Sequence, residues 1–205
     1  MARGENSRKK IMDVAQDSVL AKGFDATSID EIVAQVEITK SGFFYHFRDK
    51  NALAKALIER HIEVEDQLFD DLLERAKELS DDPLQVVLIW LKLLAEMIEN
   101  MPNGHPGCIV ATAVYQDRLF NHDVHEANHR AIIGWRIRFR NLFEEISVIY
   151  PPSDPIDLDH LSDMVSALIE GGIIMARATN EPQVPAQQIM LMRSYVKLLF
   201  SPRPQ

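Results

Sequence analysis

The chain has 205 residues, 46% of them hydrophobic, a formal net charge of -9 and one cysteine. That length can bury one sizeable core, or a small and a larger one, and a single cysteine excludes an internal disulfide and gives no sign of an oxidising compartment. The start of the chain is polar and charged, unlike a signal peptide, and no run nears the roughly 18 apolar residues of a spanning helix, so the expectation is a soluble, cytoplasmic protein.

The first element is a helix over about residues 7–22, with the cations Arg3, Arg8, Lys9 and Lys10 clustered at the start of the chain. The next stretch, TSIDEIVAQVEITKSGFFYHFRDK from Thr27 to Lys50, is the most specific in the chain. Ser28 with Glu31 three positions on makes a capping box at a helix start. Ile29, Ile32, Val33 and Val36 then fall on one face and anchor that helix (28–35) in a core. Val36-Glu37-Ile38 serves as a turn, and Thr39 caps a second short helix (39–46) that opens on Lys40, Ser41 and Gly42. Free amides, small hydroxyls and a cation at one helix end suit phosphate oxygens. Phe47 is wanted by the core, and Phe43 and Phe44 could also pack there, so the exposed side draws on Lys40, Ser41, Phe43, Phe44, Tyr45 and His46. Two short helices around a tight turn, the second carrying hydroxyls, aromatics and lysine, form the pattern of a helix-turn-helix that reads the major groove.

Thr39-Lys40-Ser41-Gly42-Phe43-Phe44-Tyr45-His46-Phe47 with Lys50, and upstream Lys9-Lys10-Ile11 and Ala21-Lys22-Gly23-Phe24, resemble the TetR family of bacterial transcriptional regulators. The resemblance covers about the first quarter of the chain. It implies that Thr27 and Ser28 touch phosphates, that Thr39, Lys40, Ser41, Gly42 and Tyr45 sit at the groove, and that Lys50 closes the contact. Lys9, Phe44 and His46 complete the candidate DNA-binding set. Phe44 stands where the family has tyrosine, and Ser41-Gly42 replaces Gly-Thr.

Residues 1–50 carry eight Lys/Arg and eight Asp/Glu, so the surplus acid all lies beyond residue 50. A neutral head on an acidic body is compatible with DNA binding, because attraction between phosphates and cations is screened over about 10 Å.

Past Lys50 the pattern is helix after helix. Asp49 caps a long helix (49–79) with Leu53, Leu57, Val64, Leu68 and Leu72 at helical spacing. Further helices are expected over 83–100, 107–119, 122–149, 155–179 and 186–200, with Asp82-Pro83 and Asp154-Pro155 as starts, breaks at Pro102–Gly107 and Pro151-Pro152, and Pro182 and Pro185 separating the last two. The fold class is therefore all-α, about nine helices. A helix-turn-helix domain (1–48) is joined by the long helix to a larger ligand-binding and dimerisation domain (49–205).

Leu161, Val165, Leu168, Ile189, Met192 and Val196 lie on broad apolar faces of the last two helices. These can pack within one chain; the resemblance implies instead a four-helix interface of a homodimer. Gly171-Gly172 invites close approach of a helix or ligand, or a kink. Trp90, Leu94, Met97, Cys108, Ala111, Tyr115, Trp135, Phe139, Met164, Leu168 and Met175 form a stripe that suits either ordinary core or a pocket for a small, largely apolar effector. Cys108 follows His105-Pro106-Gly107 at a helix start; it is a packed thiol or, by its likeness to family members that sense electrophiles, a redox switch. His122, His125 and His129 share a helix face, more simply a solvated one than a metal site.

No phosphate loop, nucleophile elbow, metalloprotease helix or paired cysteine ligands occur, so no enzyme and no cofactor are expected. The reading is a ligand-released repressor that binds palindromic operator DNA as a homodimer; the alternative is a helical binding module that has lost DNA binding.

Overall fold

The computed structural model describes residues 2–201, which form nine α-helices and one short 3-10 turn, with no strand among the described residues. The helices are α1 (Ala2–Ala26), α2 (Ile29–Val36), α3 (Lys40–His46), α4 (Lys50–Leu79), α5 (Pro83–Glu99), α6 (Ile109–Tyr115), α7 (His122–Ile149), α8 (Leu158–Thr179) and α9 (Val184–Phe200). The 3-10 turn is Asp117–Leu119. Among the described residues no helix is long and apolar enough to cross a membrane.

Most helix starts follow local chemistry. Ser28 accepts from the Glu31 amide at 3.1 Å, Thr39 from that of Gly42 at 3.1 Å, Asp49 from that of Ala52 at 2.8 Å and Asp82 from that of Gln85 at 2.8 Å. Each satisfies an amide that has no intrahelical partner. α2 stops because Glu37 adopts the left-handed conformation (φ 59, ψ 44), and the Ile38 amide returns to the Val33 carbonyl at 3.0 Å.

Four boundaries differ from expectation. α1 runs on to Ala26 across a single non-helical residue, Gly23 (φ 88, ψ 167). The expected helix over 107–119 is shorter, because Gln116 leaves helical geometry (φ -119, ψ 29) ahead of the 3-10 turn. α8 starts at Leu158 and not at Pro155, because Asp157 captures the amides of both Asp159 and His160, at 2.8 and 3.2 Å. Pro185 lies inside the first turn of α9, where a missing N–H costs nothing, rather than separating the helices.

The chain divides into two compact units, and not at residue 48. One comprises the residues up to Glu65 with Cys108–Ala131; the other comprises Asp66–Gly107 and the residues from Ile132 onward. In the first, α2 packs on both α1 and α3, and α6 packs on α1. Ile11, Ala15, Phe24, Ile32, Phe43, Leu57 and Val110 are among its buried side chains. In the second, α9 packs against both α5 and α8. Phe69, Trp90 and Phe139 meet in the core of that unit with ring centroids 5.5–6.1 Å apart, and the Trp90 indole donates to the Phe69 carbonyl at 3.1 Å. Gly172 is required there: a Cβ on it would stand 2.8 Å from Pro185 Cα at the start of α9.

Candidate nucleic-acid interface

The turn after α2 and the Thr39 cap set α3 so that it alternates between core and exterior. Phe43 and Phe47 are buried and hold the helix down, with ring centroids 5.8 Å apart. Lys40 and Ser41 are exposed, Phe44 is 49% and Tyr45 83% exposed. A tyrosine so open on a core-anchored helix is not a packing residue, and together with Lys40 and Ser41 it offers hydroxyls and a cation on one short surface. Lys40 meets Asp30 of α2 at 2.6 Å, an exposed pair that a phosphate can displace. Tyr45 and His46 meet edge to face at 5.0 Å. Gly42, half-buried, gives its amide to Thr39. Ser28 is exposed at the start of α2, and Lys9 is exposed on α1. The side chain of Arg3 lies outside the described residues.

Two expected contacts turn out to be structural. Thr27 is 1% exposed, and its hydroxyl donates to the Gly23 carbonyl at 2.8 Å beside Ser18 Oγ at 3.1 Å. Lys50 is half-buried, and its ammonium donates to the Phe24 carbonyl. Burial pushes the Lys50 ammonium below the usual lysine range, with Asp25 opposing the shift. Both side chains tie the end of α1 to the rest of the head and leave the contact set. Glu31 is held below the ordinary carboxylate range, first by Lys22 at 2.5 Å.

Arg8, noted in the sequence only as one of the clustered N-terminal cations, and Arg48, which the sequence reading passed over, join this surface. Arg8 lies over the Phe47 ring, 5.1 Å from its centroid, and Arg48 is exposed between Asp49 and Asp123. Both line a cavity of about 330 Å³ with His46 and Lys55. Their only signal in the chain was proximity to the motif.

The expected effector residues do not converge. Trp90, Leu94 and Phe139 are solid core, and Met97, Trp135, Met164 and Leu168 pack against that core. Met175 is exposed on α8. Cys108, Ala111 and Tyr115 belong to the other unit, with Tyr115 exposed. A cavity of about 510 Å³ in the second unit, with a mixed polar and apolar lining, lies elsewhere, among Glu99, Met101, His105, Arg177, Pro182 and Gln183.

The expected dimer residues fail for a related reason. Leu161, Val165, Ile189, Met192 and Val196 are buried within one chain and Leu168 packs against them. The apolar side chains that α8 and α9 leave exposed are Ile174, Met175, Met190, Leu191, Tyr195 and Leu198. Gly171 has open space around it. His122, His125 and His129 are exposed, and among the described residues no group of three His, Cys, Asp or Glu side chains could hold a metal.

Residues 11–57, which span this helix-turn-helix, match the family model of bacterial regulatory proteins, tetR family. That segment is similar to the TetR family. Over 179 residues it is 26% identical to the transcriptional regulator AcuR of Cereibacter sphaeroides, covering 86% of this chain and 78% of AcuR. It is 23% identical over 195 residues to the HTH-type transcriptional regulator YxaF of Bacillus subtilis, covering 93% and 96% of the two chains. The crystal structure of reduced Escherichia coli NemR superposes with a TM-score of 0.77 at 16% identity, covering 97% of this chain and 100% of that one. The TetR fold thus extends over nearly the whole described chain, beyond the segment the family model matches.

Proposed function

We propose that this TetR-family transcriptional regulator is a repressor that binds a palindromic operator as a homodimer and is released by a small effector. The observation that carries the reading is Tyr45, exposed beside Lys40 and Ser41 on a helix whose other face is pinned by Phe43 and Phe47. Ser28, Thr39 and Lys9 supply phosphate contacts, and Phe44, Tyr45 and His46 face the groove together with Gly42. Two such heads reach successive half-sites only as a pair, roughly 34 Å or a multiple apart. The exposed apolar face of α8 and α9, from Ile174 to Leu198, is the surface that joins them. An effector acts by binding one arrangement of the heads better than the other. TetR-family regulators are not enzymes, and the chemistry asked of this chain is recognition.

The test is a fluorescence anisotropy titration against DNA flanking the gene, with unrelated DNA as competitor at two salt concentrations. Tight, competitor-resistant, salt-dependent binding of two protomers per palindrome supports the reading. Equal weakness on all DNA, including sites selected from random sequence, replaces it with a binding module that has lost DNA recognition.

A second reading concerns how release is triggered. Cys108 caps α6, its sulfur accepting from the Ala111 amide at 3.4 Å, and lies 3.9 Å from His61 Nε2, which is 3.3 Å from Glu65. The thiol is half-exposed and within reach of that imidazole, so an electrophile or oxidant is the alternative effector. Loss of operator binding on alkylation of Cys108, absent in Cys108→Ser, would establish it.

A further inference from the structure

Gln116 ends α6, and its side-chain amide grips the corner between α1 and α2. Its Oε1 accepts from the Phe24 amide at 2.7 Å, and its Nε2 donates to Asp25 Oδ1 at 2.6 Å. Acceptor and donor ends are thus both engaged, across 92 and 91 positions of sequence, and this pattern fixes which end of the amide is which. The glycine before the corner makes room: a Cβ on Gly23 would stand 2.8 Å from Gln116 Nε2, and φ there is +88. Lys50 takes the Phe24 carbonyl, and the buried Phe24 ring meets the edge of Phe120, just beyond α6, at 4.9 Å. Asp25 is held below the ordinary carboxylate range, first by the Gln116 hydrogen bond. The corner lies three residues before Ser28, the cap of α2.

We infer that Gln116 is the positioning residue that couples α6 to the DNA-reading head. A shift of α6 is delivered through this amide to Phe24 and Asp25, and from there to α2 and α3. Hydrogen bonds weaken steeply with angle and distance, so a paired grip either carries the corner along or lets go. The inference rests on the proposed ligand-controlled DNA binding and names the residue that transmits it.

Coupling between two places is reciprocal, which allows a test without the effector. Cys108, the only cysteine, sits at the opposite end of α6 from Gln116. Its alkylation rate with iodoacetamide is measured with and without saturating operator, alongside the operator Kd, for the wild type and Gln116→Met. The wild-type rate is expected to change about fivefold or more on DNA binding. Gln116→Met keeps operator binding but reduces that change to less than about twofold. Gln116→Glu loses it too, and Gln116→Glu with Asp25→Asn regains it by exchanging donor and acceptor; this pair keeps the test intact should the methionine variant fold poorly. The inference is overturned if Gln116→Met retains the wild-type response, or if the wild type binds operator tightly with no change in rate. A wild type that binds no DNA overturns the regulator reading and this inference with it, and the Kd identifies that case.

Discussion

Lys50 gives its ammonium to the carbonyl of Phe24, 26 residues earlier in the chain. A lysine at the end of a helix-turn-helix motif looks like a phosphate contact, yet here it closes the helical head on itself. Phe24 is buried and its carbonyl sits just past the break at Gly23, where a helical acceptor is left over. Lys50→Met is therefore expected to lower stability by about 1–2 kcal/mol through the lost charge-assisted bond. The salt slope of DNA binding should stay unchanged. Chemical denaturation and a salt titration on one preparation check both; a slope flatter by about one unit would return Lys50 to the DNA contacts.

Tyr45 and Phe43 test the two faces of α3. Tyr45→Ala is expected to weaken operator binding by about 1–3 kcal/mol, with stability within about 0.5 kcal/mol of wild type because the side chain touches little. Phe43→Ala should cost about 3–5 kcal/mol of stability and lose DNA binding only by unfolding the head. Anisotropy and thermal melts separate the two.

On α9, Leu198 is 73% exposed and Val196 0%. Leu198→Glu is expected to yield folded monomers whose operator affinity drops sharply, since one head reads one half-site. Val196→Glu should fail to fold the second unit, because it buries an unpaired charge. Sedimentation with circular dichroism distinguishes them, and an intact Leu198→Glu dimer would move the interface elsewhere.

His105 is pushed below the ordinary histidine range, by burial first and then by Arg177, and its Nδ1 accepts from the Gly107 amide at 3.2 Å, as a neutral ring does. The unfolded chain takes up a proton near pH 6.5 and the folded one resists it. This residue's contribution to stability is thus complete above about pH 6.5 and is lost as pH falls below it, by no more than about 1.4 kcal/mol per unit. His105→Gln should flatten stability against pH below about 6.5. Urea midpoints across that range measure it, and an unaltered pH profile would count against a buried neutral histidine.

Ser28, Thr39, Asp49 and Asp82 announce helix starts because a cap needs only its own oxygen and an amide two or three residues on. Such local chemistry, with apolar spacing along α2 and α4, sufficed for the all-helical order and for the short helix α3. Asp154-Pro155 misled because Asp157 offers a second cap three residues later and captures two amides at once.

What the chain alone could not decide was which side of an element faces inward. α9 is apolar on two stripes: Ile189, Met192 and Val196 on one, Leu191, Tyr195 and Leu198 on the other. Helical periodicity counts both alike. Only the packing of α5 and α8 against the first stripe made it core and left the second exposed. Thr27 and Lys50 were misread likewise, because their acceptors, the carbonyls of Gly23 and Phe24, are released by the break at Gly23. Local hydrogen bonding is written in neighbouring residues, whereas burial is a relation between distant ones, settled when the helices pack.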